Sequence, residues 1–284
     1  MKIRRVGVVG TTGFMGIGIA QVCACFGYQV VGSSRNKKRL REALATIESR
    51  LARSVEKGVI SHQDKEIAMA HIKGTSDMNG FQDCDLVVES VVEDIDVKKK
   101  VFAKLDEICP KHSILATNTS CLSVTELALA TKRPDKVLGL HFLSPVPQSK
   151  LTELVIITAT SDKTLNTGKS FVSSLQKSII VTKDTPGFVF NRLYIGLSLI
   201  AVRLLESGIA TRGEIDSSMT PGLGHPIGPL ALLDFNGIDT ILNVANAMYR
   251  DLKDPIYAAP TLMRKMVANG WLGRKTGKGF YDYD

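Results

Sequence analysis

The sequence predicts an α/β fold in which a doubly wound, mostly parallel sheet is followed by a smaller all-helical domain. Three observations support this prediction. Short apolar runs alternate with charged helical segments over most of the 284 residues, a pattern typical of a parallel sheet covered by helices. The first apolar run, Arg4–Gly10, leads through glycines into a helical pattern. After Lys183, strand-like runs give way to long helical patterns.

The opening segment has the order strand, helix, strand. Its helical pattern covers Met15–Phe26 and its second strand covers Gln29–Ser33. The segment Arg39–Gly58, rich in Ala, Leu, Arg and Glu, predicts a long helix after that strand. Charged helical segments such as Val97–Ile108 separate the later apolar runs. Four of these runs are predicted strands: Asp85–Val91, Ser113–Thr117, Val137–His141 and Leu151–Ile157.

A turn-rich stretch, Asp184–Phe188, marks the predicted domain boundary. We place the first domain at residues 1–185 and the second at residues 186–284. Two helical patterns, Val189–Gly208 and Ile238–Leu252, dominate the second domain. Because its first helix begins beside the sheet, we expect the helical domain to form one wall of a cleft.

The glycine-rich loop lies between a strand and a helix, the context that indicates a Rossmann-type dinucleotide site. Glycines let the backbone approach a pyrophosphate closely, and the N–H groups at the helix start favour the anion. The spacing is GxxGxxG, one residue more than the common GxGxxG, so we expect a wider loop with both threonine hydroxyls near the phosphates. The predicted contacts are Gly10, Thr11, Thr12, Gly13, Phe14, Met15 and Gly16.

The end of the second strand indicates which dinucleotide binds. An acidic residue roughly 20 residues past the glycines would hold the ribose 2′-hydroxyl of NAD. This chain has Ser34 and Arg35 there, followed by Lys37 and Lys38. With no carboxylate to repel a 2′-phosphate, and with cationic donors for one, this segment favours NADP, with NAD as the alternative. The other interpretation of Arg35 is a solvated loop cation.

Composition excludes several classes of protein. A hydrophobic content of 44% fits a globular chain, and no stretch approaches the roughly 20 uninterrupted apolar residues of a membrane span. The net charge of +8 favours anionic ligands or serves solubility alone, while the dispersed basic residues indicate no nucleic-acid partner. Five scattered cysteines lack disulfide or metal-ligand spacing. We therefore expect reduced thiols, no metal and a cytoplasmic location.

Polar groups follow several predicted strands and one helix start. They occur in the motifs VVED, NTS, HFLSP and PGFVFNR, which begin at Val91, Asn118, His141 and Pro186. With these motifs the chain resembles the 3-hydroxyacyl-CoA dehydrogenases, especially the single-function bacterial members that act on 3-hydroxybutyryl-CoA. The resemblance extends from Val6 to the terminal segment GWLGRKTGKGFYDY. It implies an oxidoreductase that interconverts (S)-3-hydroxyacyl-CoA and 3-oxoacyl-CoA by hydride transfer.

Two residues are predicted to carry the proton chemistry. His141 ends one strand and Glu153 lies near the start of the next, so both side chains can meet at the carboxyl edge of the sheet. Oxidation of an alcohol needs a base for the hydroxyl proton, and imidazole titrates near neutral pH. The resemblance assigns Glu153 to the other imidazole nitrogen, where a carboxylate fixes the tautomer and stabilises imidazolium.

The resemblance implies further roles. Ser120 and Asn191 would bind the oxygen at carbon 3 of the substrate, with closure of the helical domain completing the site. The predicted cofactor contacts are Ser34, Arg35, Glu93, Lys98, Asn118, Ser120, Ser144 and Lys275. Of these, Glu93 and the two lysines could instead be plain surface.

Arg53 and Lys57 lie four residues apart on one helix face, where they could meet the CoA phosphates or be solvated. The chain departs from the family in its wider glycine loop, in Ser34 where an acid is usual, and in Ser144 where asparagine is usual.

These observations together predict an NADP-favouring reductase of acetoacetyl-CoA or a similar short substrate. The apolar segment Gly224–Gly237 predicts a homodimer formed through the C-terminal domain. Two alternatives stay open: a dehydrogenase of a free hydroxy acid, of the gulonate or carnitine type, and a non-enzymatic NADP-binding relative.

Overall fold

The computed structural model describes residues 2–283 and divides the chain into two compact units. The first unit ends at Asp184 and the second begins at Thr185. The predicted boundary lay between residues 185 and 186. Each unit has its own apolar core and is described separately.

The first unit contains an eight-stranded sheet with the order β3-β2-β1-β4-β5-β6-β7-β8. Among the described strands, β6 and β7 form the one antiparallel pair, and all other neighbours are parallel. The predicted doubly wound, mostly parallel sheet is thus confirmed. The strands are β1 (Arg5–Val9), β2 (Gln29–Ser33), β3 (Ile72–Thr75), β4 (Leu86–Glu89), β5 (Ile114–Thr117), β6 (Val137–Phe142), β7 (Leu151–Ile156) and β8 (Ser178–Lys183).

Two strands at the sheet edges were not predicted. β3 has only four residues, and Lys73 and Gly74 interrupt its apolar pattern. β8 is partly exposed along its whole length, so it lacks a buried run. Both strands form because a neighbouring strand supplies a hydrogen-bonding partner, which is a tertiary effect.

Six α-helices cover the sheet in the described part of the first unit. Local caps fix several starts: the Asn36 side chain accepts hydrogen bonds from two N–H groups of α2, and Asp94 accepts one from Val97 in α4. α2 buries Leu40, Ala43, Ile47 and Leu51 at helical spacing. The helices are α1 (Phe14–Cys25), α2 (Lys37–Glu56), α3 (His62–Ala70), α4 (Ile95–Ile108), α5 (Val124–Ala128) and α6 (Asp162–Ser174).

The strand order places a crevice at one edge of this sheet. From β1 the chain builds outward to β2 and β3, and it then returns to add β4 on the other side of β1. Ligands of open α/β sheets bind at such a switch point, outside the carboxyl ends of the strands. The segments after β1, β4, β5 and β6 therefore converge where a ligand is expected.

The second unit is helical, as predicted. Its helices pack around a core that includes Ile195, Leu199, Val202 and Met263. The Asp234 carboxylate accepts hydrogen bonds from the N–H groups of Phe280 and Tyr281, both at 2.9 Å, which attaches the C-terminal segment. The helices are α7 (Phe190–Glu206), α8 (Arg212–Leu223), α9 (Pro229–Asn236), α10 (Ile238–Leu252) and α11 (Thr261–Ala268).

Most apolar side chains of the segment Gly224–Gly237 are buried or half-buried inside this unit. Leu230 and Leu233 are completely buried in its core. Leu223 and Phe235, at 68% and 53% exposure, stay on the surface. Within residues 2–283, no helix has the length and apolar character of a membrane span.

Candidate active site

The glycine loop joins β1 to α1 at the switch point. Gly10 has φ +86°, and a Cβ there would lie 2.4 Å from the Ser90 carbonyl oxygen, at the end of β4. A Cβ on Gly16 would lie 2.3 Å from the Gly10 oxygen. Gly13, the N-cap of α1, has more room, since its Cβ would meet nothing closer than 3.5 Å. Gly10 and Gly16 are thus required by packing, whereas Gly13 keeps an exposed surface open.

The start of α1 fits an anionic group. The N–H groups of a first helical turn have no partners within the helix, and in the described structure this turn has neither an acidic residue nor a side-chain cap. Phe14 is 57% exposed, and the Arg50 guanidinium lies 5.6 Å from its ring centroid. The loop can therefore hold the diphosphate of a dinucleotide by its backbone and the helix dipole.

Thr11 does not face this anion site, contrary to the prediction. Its hydroxyl donates to the Val8 carbonyl at 2.8 Å and its N–H to the Ser33 carbonyl at 3.1 Å. The residue is fully buried, with its side chain against Gly32. The residue after Gly10 therefore fills the gap between β1 and β2. Thr12 is half-buried, and its phosphate contact stays a prediction.

The end of β2 presents cations and no carboxylate in the segment 34–38. Ser34 is half-buried, and its Oγ accepts the Asn36 N–H at 3.2 Å. Arg35, Lys37 and Lys38 are exposed at the start of α2. This segment leaves cationic donors at the carboxyl edge of the sheet.

His141 and Glu153 form a buried pair. They are direct partners in the antiparallel register of β6 and β7, where opposite side chains project to the same face. The His141 Nδ1 lies 2.7 Å from Glu153 Oε2, and the two side chains are 6% and 0% exposed. A hydrogen bond from Nδ1–H to this carboxylate leaves Nε2 as the basic nitrogen.

The loop after β5 carries Ser120 beside this pair of strands. Asn118 is buried, and its Oδ1 accepts the N–H of Phe142, the residue after His141, at 2.9 Å. Asn118 N–H donates to the Glu89 carbonyl at 2.8 Å. Asn118 therefore connects the Ser120 loop to β4 and β6 at once.

Lys98 is buried rather than exposed. Its Nζ lies 2.7 Å from Glu89 Oε1 and 3.2 Å from Glu93 Oε2. The side chain of Lys98 is 1% exposed and that of Glu93 is 39% exposed. A direct contact of either residue with a cofactor stays a prediction. Sequence reasoning missed Glu89, although a carboxylate ending the apolar run LVVE was an available signal.

The chain matches two family models in succession. Residues 5–185 match the 3-hydroxyacyl-CoA dehydrogenase NAD binding domain. Residues 187–283 match the C-terminal domain of the same family. The chain belongs to the 3-hydroxyacyl-CoA dehydrogenase family.

Individual relatives agree with this membership. A 3-hydroxybutyryl-CoA dehydrogenase of Bradyrhizobium diazoefficiens is 41% identical over 281 residues, covering 99% of this chain and 96% of the relative. One of Clostridioides difficile is 42% identical over 280 residues, covering 99% of both. The crystal structure of (S)-3-hydroxybutyryl-CoA dehydrogenase from Ralstonia eutropha aligns over 100% of both chains, with a TM-score of 0.95 and 42% identity.

Asn191 is the second residue of α7, the first helix of the second unit. The turn before α7 has Gly187 at φ +77° and Phe188 at φ +50°. A Cβ on Gly187 would lie 2.6 Å from Met248 Cε. Arg192 binds the same turn, donating to Pro186 O at 3.2 Å and to Thr185 Oγ1 at 2.5 Å. Asn191 itself is 8% exposed.

The remaining predicted residues lie on the surface. Lys275 Nζ is 2.5 Å from Asp239 Oδ1 at the start of α10. Burial acts to raise the pKa of Asp239, but hydrogen bonds from Lys275 and from the Thr240 N–H outweigh it and lower that pKa. Arg53 and Lys57 are exposed at the end of α2, and Ser144 is exposed after β6. Their ligand contacts stay predictions.

Three cysteines are inert at neutral pH. Burial raises the pKa of the Cys23 and Cys84 thiols to about 12 and that of Cys109 to about 11. Cys121 lies in the Ser120 loop, with its Sγ 3.9 Å from Glu93 Oε1. In residues 2–283, no cluster of three or more His, Cys, Asp or Glu is arranged to hold a metal.

The glycine loop yields a test that separates packing from binding. We expect Gly16→Ala to lower the free energy of unfolding by about 1–3 kcal/mol, because its methyl group would overlap the Gly10 carbonyl. Gly13→Ala should change it by less than about 1 kcal/mol, yet weaken dinucleotide binding about tenfold by blocking close approach to the backbone. Urea unfolding and fluorescence titration measure the two effects. Unchanged dinucleotide affinity in Gly13→Ala would contradict this account of the loop.

Proposed function

We propose that this chain interconverts a short (S)-3-hydroxyacyl-CoA, 3-hydroxybutyryl-CoA, and its 3-oxo form, acetoacetyl-CoA. The observation that carries the proposal is the buried pair His141–Glu153 at the carboxyl edge of a sheet that also bears a dinucleotide-type loop. The names of the relatives support the substrate class. Residues 1–185 are the proposed dinucleotide-binding domain and residues 186–284 the proposed substrate and dimerisation domain.

His141 is the proposed base. In the oxidative direction its Nε2 takes the proton of the C3 hydroxyl while that C–O bond becomes a carbonyl. A bound nicotinamide supplies the hydride acceptor for this direction and the hydride donor for the reverse. Glu153 accepts the Nδ1–H of His141, and its negative charge stabilises the imidazolium that forms. In reduction His141 returns the proton to the C3 oxygen.

Ser120 and Asn191 are the proposed hydrogen-bond donors to the C3 oxygen. Negative charge develops on that oxygen as a ketone accepts hydride, and fixed donors stabilise it. Ser120 belongs to the first unit and Asn191 to the second. Asn118, Ser144 and Lys275 are proposed cofactor contacts, and Arg53 and Lys57 are assigned to the CoA phosphates.

The first test follows nicotinamide absorbance with NADPH and acetoacetyl-CoA. We expect turnover with this thioester and little with free acetoacetate, because the latter lacks the CoA moiety. His141→Asn should lower kcat by about 10²–10⁴ and leave the dinucleotide dissociation constant within about threefold. The matched control is His112→Asn, which removes an exposed histidine 3.2 Å from Asp85.

Undiminished activity in His141→Asn would remove this residue as the base. Equal turnover of free acetoacetate would favour a dehydrogenase of free hydroxy acids. Dinucleotide binding with no turnover of either compound would favour a non-enzymatic relative.

NADP is the proposed cofactor, with NAD as the alternative. The support is the segment Ser34–Lys38, which has cations and no acid at the end of β2. We expect a lower KM for NADPH than for NADH. Arg35→Ala should raise the KM for NADPH about tenfold and leave the KM for NADH unchanged, because only NADPH has a 2′-phosphate. Arg5→Ala is the control, since Arg5 is the first residue of β1 and lies at the amino ends of the parallel strands, away from Arg35. A lower KM for NADH would contradict the NADP assignment.

A homodimer formed through the second unit is the proposed assembly. That unit exposes Leu193 at 72%, Ile209 at 71% and Leu223 at 68%, and an interface between two copies would cover apolar side chains of this kind. Light scattering after size exclusion should give about twice the chain mass of 30.8 kDa. A mass equal to one chain would overturn the dimer. The cytoplasmic location expected from the sequence stays a prediction.

A further inference from the structure

A buried carboxylate lies at the carboxyl ends of the neighbouring parallel strands β4 and β5. Glu89, the last residue of β4, is completely buried. Its Oε1 accepts the Val91 N–H and the Lys98 ammonium, both at 2.7 Å, and its Oε2 accepts the Thr117 hydroxyl at 2.8 Å. A carboxylate without access to water needs such donors, so Glu89 fixes the ammonium of Lys98 at this place.

Lys98 connects this buried charge to a second carboxylate. The Nζ of Lys98 binds Glu89 and also lies 3.2 Å from Glu93 Oε2. Lys98 is itself 1% exposed, and α4 holds its backbone. The ammonium therefore restrains Glu93, which is otherwise on a partly exposed segment between β4 and α4.

The other oxygen of Glu93 binds the loop that carries Ser120. Glu93 Oε1 accepts the Ser120 N–H at 3.0 Å and the Thr119 hydroxyl at 2.5 Å. The Thr119 hydroxyl in turn accepts the Leu122 N–H at 2.9 Å. One carboxylate thus orders both the backbone of Ser120 and the turn that follows.

We propose that Glu93 is a positioning residue for Ser120, and that the pair Glu89–Lys98 holds Glu93 in place. The proposal rests on the function proposed above, in which the Ser120 hydroxyl binds the C3 oxygen. It differs from the cofactor contact expected from the sequence for Glu93 and Lys98. A cofactor contact would act on dinucleotide affinity, whereas a positioning residue acts on kcat through Ser120.

A double-mutant cycle tests this role. Glu93→Ala should lower kcat about tenfold and leave the dinucleotide dissociation constant within about twofold. In a Ser120→Ala background, Glu93→Ala should lower kcat less than about twofold further, because the positioned group is gone. Asp96→Ala is the control, since it removes the same charge from an exposed site on α4. Glu93 is 39% exposed, so its replacement should be tolerated better than that of buried Lys98.

Hydrogen exchange gives a readout that does not depend on activity. In Glu93→Ala, the amides of Ser120, Cys121 and Leu122 should exchange about tenfold faster or more, while those of Ile114–Thr117 in β5 stay unchanged. Thr119→Val keeps the side-chain shape but removes the hydroxyl that accepts the Cys121 and Leu122 N–H groups, so it should speed exchange at these two amides and less at Ser120, whose N–H still binds Glu93.

Failure of the positioning role of Glu93 and failure of the proposed role of Ser120 would give different results. Unchanged exchange in the loop, or a loss in Glu93→Ala that appears in dinucleotide affinity and is equal in both backgrounds, would overturn the positioning role. Full activity of Ser120→Ala alone would instead overturn the role proposed for Ser120 in the reaction.

Discussion

The hydrogen bond between His141 Nδ1 and Glu153 Oε2 is the interaction on which the proposed chemistry depends. It exists because β7 runs antiparallel to β6, which places the start of β7 opposite the end of β6. A parallel neighbour would present its carboxyl end at this edge. The reversal of one strand thus brings an acid to the imidazole inside a buried part of the sheet. Burial also protects the pair from competition by water, which strengthens its electrostatic effect.

The rest of the first unit places other functional groups around this pair. The switch between β1 and β4 creates the crevice, and Gly10 lets the two segments touch where a side chain would not fit. Asn118 fixes the loop after β5 to β6. Buried Glu89 and Lys98 support Glu93 from below this loop. These connections start from residues at the ends of β4, β5 and β6, so the rigidity of the sheet is passed on to the site.

Local patterns were sufficient to predict much of this fold. The first strand, glycine loop and helix follow from sequence periodicity, and β2 and α10 have the predicted bounds. The proximity of His141 to Glu153 followed from one residue ending a strand and the other starting the next. Contacts between distant segments escaped prediction. The inward hydroxyl of Thr11 depends on the space above Gly32, and burial of Lys98 depends on Glu89, nine residues earlier on another element. The edge strands β3 and β8 likewise depend on their neighbours.

A crystal structure with dinucleotide and acetoacetyl-CoA bound would test the central claim most directly. We expect His141 Nε2 to lie within about 3.2 Å of the oxygen on carbon 3, with Nδ1 still hydrogen-bonded to Glu153. A complex in which the imidazole turned away from Glu153, or in which His141 Nε2 did not approach that oxygen, would contradict the role of His141 as the base.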